Sequence, residues 1–82
     1  DEKFDLGKDI FLNVANCGTC HSLKDAGTVA NVGPNLNDIK PDIGRVINSV
    51  TNGIGVMPSY LGILSEKEIN SVAYYVSESS MN

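Results

Sequence analysis

Cys17-Gly18-Thr19-Cys20-His21 decides how the rest of this chain is read. Two thiols three positions apart on a helical turn, with an imidazole directly after the second, project soft donors to one side of the backbone. Gly18 and Thr19 are small enough for that backbone to lie close to the edge of a planar group. No other cysteine or histidine occurs in the 82 residues. A disulfide between Cys17 and Cys20 would close a loop too small to tie anything down. A structural zinc site normally takes four protein ligands, and this chain offers three soft donors of these types. A thioredoxin-like C-x-x-C lies at a strand-to-helix junction in a βαβ unit, and no period-two strand pattern is present. C-x-x-C-H is the sequence signal for covalent attachment of haem, each thiol taking one vinyl group and the imidazole taking the iron.

One histidine leaves the far axial position of such an iron open. Met57 is the residue suited to it, in Asn52-Gly53-Ile54-Gly55-Val56-Met57-Pro58-Ser59-Tyr60. The glycines let a loop approach a flat group closely, and Pro58 stiffens the chain directly after the sulfur. A methionine is more often core filler, but the one rival, Met81, stands next to the chain end in a polar tail without glycine or proline around it. Met/His ligation raises the potential of a haem.

The remaining sequence predicts an all-α domain spanning residues 1–82, with three to five helices and long loops. Leu6, Ile10 and Val14 recur at spacing four, with Gly7 and Phe11 beside them, and predict a helix from about Asp5 to Val14. Residues 24–37 are rich in Gly, Asn and Ala and read as an irregular loop. Pro41 suits a first helical position; Ile43, Val46, Ile47 and Val50 continue the pattern, and Gly53 ends it. Ser65 and Glu68 form a capping box, followed by the stripe Ile69, Val72, Ala73 and Val76, with a Ser-rich tail from Ser77 expected to fray. Three helices in a chain this short bury only roughly 60–65% of the unfolded surface, aromatic content is 6%, and Trp is absent. Domains of this size usually add a staple, and here the cofactor is the candidate.

The formal charge of −4 argues against nucleic acid, which needs clustered Lys and Arg. No apolar run approaches the roughly 20 residues of a membrane span. The charged Asp1-Glu2-Lys3 opening shows no signal peptide, so the chain reads as a mature secreted form or an excised domain.

In the order of its parts the chain resembles the class I c-type cytochromes, the small bacterial periplasmic kind, from about Gly7 to Val76. Gly7 and Phe11 look like the first-helix pair that crosses Val72 and Tyr75 on the last helix. Gly33-Pro34-Asn35-Leu36 looks like the loop beneath the haem, and Gly53-x-Gly55-x-Met57-Pro58 like the methionine loop. The resemblance implies a cytochrome c fold around one haem c, with Cys17, Cys20, His21, Pro34 and Met57 as the cofactor-binding residues and His21 and Met57 on the iron. It further implies that the Pro34 carbonyl accepts a hydrogen bond from the second ring nitrogen of His21. Members that bond a haem propionate through Trp have no counterpart here; Arg45, Tyr60 and Asn52 are the alternatives, and Tyr60 or Asn52 could instead serve the Met57 sulfur.

With both axial positions filled by protein, no substrate reaches the iron, so the expected function is a monohaem electron carrier and not an enzyme. The alternatives are a haem domain of a larger oxidoreductase or oxidase subunit, an open-iron enzyme or gas sensor, and a zinc-binding module. The expected partners are redox proteins: a donor dehydrogenase or membrane complex, and an acceptor oxidase. The expected state is a periplasmic monomer without stable membrane insertion. Residues 10–23, 26–37 and 46–65 contain no Asp, Glu, Lys or Arg. Those segments should surround the haem, which predicts a neutral docking rim with the acidic residues set back from it.

Overall fold

Asp1 starts the first helix in the computed structural model, which describes residues 1–82. Its carboxylate accepts the Phe4 N–H at 2.7 Å and caps α1 (Glu2–Asp9). The helix therefore begins before the expected Asp5, on a capping signal that hydrophobic periodicity does not register. It continues as a π-helical turn over Ile10–Val14, closed by a 2.8 Å bond from the Ala15 N–H to the Ile10 carbonyl. Four residues fall short of a full turn in this wider coil. Ile10 and Phe11 are fully buried, while Val14, expected on the same stripe, is 49% exposed.

The segment expected as an irregular loop holds two ordered pieces. One is a 3-10 turn at Lys24–Ala26 and the other is α2 (Leu36–Ile39), whose Asn37 and Asp38 N–H groups donate to the Asn35 side chain. α3 (Ile43–Asn52) starts two residues after the expected Pro41. The Asp42 carboxylate accepts the Arg45 N–H at 2.8 Å and is the true cap, leaving Pro41 buried just outside the helix. Gly53 ends α3 as expected, at φ +73°, where a Cβ would lie 2.8 Å from the Met57 carbonyl oxygen.

α4 (Glu66–Ser79) opens on the predicted capping box: the Glu68 N–H donates to Ser65 Oγ at 3.1 Å, and the Ser65 N–H donates to Glu68 Oε1 at 2.8 Å. Its end does not fray at Ser77. Ser79 and Ser80 are completely buried, because α2 and its C-terminal residue close over them. Asn37 Nδ2 and Lys40 Nζ donate to the Ser80 carbonyl at 3.4 and 3.2 Å. The Lys40 ammonium thus offsets the negative end of a helix that has no basic residue in its own last turn.

Helices α1 and α4 cross at Gly7, where a Cβ would collide with the Ser71 carbonyl oxygen and stand 2.5 Å from Tyr75 Cβ. Tyr75 fills the crossing and meets Phe4 and Phe11 edge-on, with centroids 4.9 and 5.8 Å away. Ile69, Val72, Ala73 and Val76 form the buried stripe of α4, and α3 packs on the same helix. Isolated bridges occur but no strand, so the fold is all-α.

Candidate functional site

The π turn delivers the chain to Asn16, which turns it sharply through a left-handed conformation at φ 55°. A 3-10 turn at Cys17–Thr19 follows. The Cys20 and His21 N–H groups both donate to the Cys17 carbonyl, at 3.1 and 2.9 Å, which gathers the two thiols and the imidazole around one turn. The segment through Gly33-Pro34 lies against this turn: the Gly33 N–H donates to the Cys20 carbonyl at 2.8 Å and the Leu36 N–H to the Ser22 carbonyl at 3.0 Å. His21 Nδ1 stands 2.9 Å from the Pro34 carbonyl oxygen. Gly33 is required by contact rather than by backbone angle, since a Cβ there would come within 2.5 Å of His21 Cε1.

Met57 is presented by a tight loop in which Ile54 and Met57 exchange backbone hydrogen bonds of 3.1 and 2.9 Å. Gly55 between them has φ +57°. Ser59 Oγ donates to the Thr51 carbonyl at 2.6 Å and anchors the loop to the end of α3.

Two adjoining voids open between these segments, with unfilled space of about 720 and about 1140 Å³ including their mouths. Cys17, His21, Pro34, Ile54 and Met57 line both. The inner walls come from Phe11, Leu36, Val46, Val50, Val72 and Val76, the inward faces of the helices. Close-packed interiors hold few voids larger than a water molecule, so an apolar-lined space at this position marks a place for a ligand. The walls fit a large apolar planar group, with two thiols, one imidazole and one thioether as its donors. Arg45 is the one Asp, Glu, Lys or Arg on the inner void, and the outer void has none.

The structure brings Cys17, Cys20, His21, Pro34 and Met57 together at the outer void. Met81 lines neither void and lies exposed at the chain end. Asn52 is exposed and lines neither as well, so it is not placed for the propionate or sulfur role considered for it. The Tyr60 hydroxyl donates to the Ala15 carbonyl at 2.8 Å and is committed there, not to the Met57 sulfur. Arg45 remains at the wall.

Burial pushes the Cys17 thiol up to about 11, against a lowering by a backbone hydrogen bond and with a lesser rise from the neighbouring Cys20. A thioredoxin-type nucleophile needs the opposite shift. No three His, Cys, Asp or Glu side chains stand close enough together to hold a metal ion by themselves.

The apolar wall residues were visible in the sequence only as helical stripes, which a plain core would also produce. Thr28 gave no signal. Its hydroxyl donates to the His21 carbonyl at 2.9 Å and accepts the Leu23 N–H at 3.0 Å, fixing the chain just beyond the imidazole.

Residues 2–76 match the family model described as cytochrome c oxidase, cbb3-type, subunit III. The chain is 37% identical over 67 residues to cytochrome c6 of Leptolyngbya boryana, covering 76% of this chain and 78% of that one. Cytochrome c6 of Diacronema lutheri is 32% identical over 75 residues, covering 85% and 88%. The crystal structure of the c-type cytochrome SorU from Sinorhizobium meliloti superposes with a TM-score of 0.91 at 49% identity, covering 96% of this chain and 92% of that one.

Proposed function

The chain belongs to the small class I c-type cytochromes, and from that premise we propose that it is a periplasmic monohaem electron carrier with His21 and Met57 as the axial ligands of its iron. Its cofactor is one covalently bound haem c, and its place is in electron transport. The haem supplies a one-electron couple at its iron.

The observation that carries the proposal is the convergence of Cys17, His21, Pro34 and Met57 on the walls shared by both voids. Cys17 and Cys20 are the attachment points. The Pro34 carbonyl, 2.9 Å from Nδ1, accepts a hydrogen bond from that nitrogen, which keeps the proton on Nδ1 and leaves Nε2 free to ligate. Met57 supplies a neutral sulfur from a loop tied to α3. With protein donors at both axial positions, the chain excludes substrates from the metal and catalyses nothing by itself. Arg45, the one charged side chain lining the inner void, would hold a haem carboxylate.

No helix is long and apolar enough to cross a membrane. Val32, Ile54 and Val56 rim the outer void and are 68%, 67% and 89% exposed. This uncharged apolar rim supports docking by redox proteins through a face without strong charge. The family description favours a second reading, a haem domain of a larger oxidoreductase or oxidase subunit. The mass of the protein isolated from its source separates the two.

Intact mass under denaturing conditions tests the attachment. Retention of one haem per chain supports it, and release of the haem contradicts it.

A further inference from the structure

The cleft is bounded by segments far apart in the chain: 10–21, with the cysteines and His21, and 50–64, with Met57. One hydrogen bond joins them, from the Tyr60 hydroxyl to the Ala15 carbonyl at 2.8 Å. Both of its ends are firmly held. Ala15 is buried, its N–H is bonded to the Ile10 carbonyl at 2.8 Å, and the left-handed turn at Asn16 breaks the helix directly after it. At the other end, the Tyr60 N–H donates to the Val50 carbonyl at 2.8 Å, and the Tyr60 carbonyl accepts the Ile63 and Leu64 N–H groups at 3.0 and 2.9 Å. Tyr60 lies three residues after Met57, and Ala15 lies two before Cys17.

We infer that Tyr60 is a positioning residue whose hydroxyl closes the Met57 loop onto the attachment turn and so keeps the methionine sulfur on the iron. The inference rests on the reading of Met57 as a ligand. The bond spans the cleft between the two elements that must stay at fixed separation for both axial donors to reach one metal. A thioether is neutral, and an outside ligand binds only the fraction of molecules whose Met57 has come off. Its apparent affinity therefore scales with that fraction. Loss of one net hydrogen bond from the closed loop raises the fraction about fivefold.

Imidazole titration of the oxidised, haem-loaded protein, followed by its visible spectrum, tests this with three variants. Tyr60→Phe keeps the ring and removes only the hydroxyl. Tyr75→Phe is the matched control, because it loses a half-buried hydroxyl bond of 2.7 Å to Asp25, the same burial as the Tyr60 bond, away from the Met57 loop. Met57→Ala reports the fully open iron. The expected result is imidazole affinity about fivefold higher in Tyr60→Phe, unchanged in Tyr75→Phe, and highest in Met57→Ala. An unchanged affinity in Tyr60→Phe, or an equal rise in Tyr60→Phe and Tyr75→Phe, overturns the clasp while a rise in Met57→Ala leaves the ligand assignment standing. No rise in Met57→Ala removes the ligand assignment and the clasp with it.

Discussion

The imidazole of His21 is held from two sides, by the Pro34 carbonyl on Nδ1 and by Gly33 against the ring. Gly33→Ala places a methyl group 2.5 Å from His21 Cε1, so ring or loop must move and the Nδ1 bond weakens. Because that carbonyl enriches the ligand, its loss raises the reduction potential; a potential unchanged by Gly33→Ala would sink this role for the glycine. Tyr75 makes a pH prediction. Burial first, then its hydrogen bond to Asp25 and that residue's negative charge, push the phenol well above its ordinary value near 10. The folded state then retains a proton that the unfolded chain gives up. The stability this contributes is fully present below pH 10 and is lost as pH rises from there towards the folded value. Urea unfolding followed by far-UV circular dichroism should show a steeper loss between pH 9 and 11 in the parent protein than in Tyr75→Phe. Equal losses would count against the coupling. At this scale Cys17, Cys20 and His21 were readable because their chemistry is local in sequence. Gly33 was not, since a Gly-Pro pair reads as a turn and the contact that demands glycine comes from a residue twelve positions away.

The crossing of α1 and α4 depends on one missing side chain. Gly7→Ala drives a methyl into the Ser71 carbonyl, a backbone atom that cannot rotate away. The helices must separate, with a cost of about 1–3 kcal/mol. Chemical denaturation should show that loss with the haem still attached, and a variant as stable as the parent would contradict the close approach. Sequence periodicity found α3 and α4 because their buried stripes, Val46 with Val50 and Ile69 with Val72, Ala73 and Val76, follow the α-helical repeat. It misplaced the start of α1, where Asp1 supplies a cap, and the start of α3, where Asp42 rather than Pro41 is decisive. It missed the π turn that rolls Val14 outward. It also read the serine tail as loose, because the groups that hold Ser80 belong to Asn37 and Lys40, forty residues and more away.

The inward faces of the helices line an apolar space that a haem would fill. The resemblance carried by the ordered motifs made this architecture legible, whereas composition alone pointed only to a missing staple. No Asp, Glu, Lys or Arg lines the outer void. Electron self-exchange between two copies docked through that rim should therefore change by less than about threefold between low and moderate salt. A steep rise with salt, measured by NMR line broadening in partly oxidised samples, would show that the net charge of −4 governs the encounter instead. The central claim is a closed iron held by His21 and Met57 and cycling between two oxidation states. A spectroscopic redox titration of the haem-loaded protein beside Met57→Ala tests it most directly. The parent should titrate as one reversible one-electron step with a sulfur-to-iron absorption band in its oxidised form, and Met57→Ala should lose that band and shift to lower potential. A parent without the band, or a Met57→Ala variant with the parent's band and potential, would contradict the account.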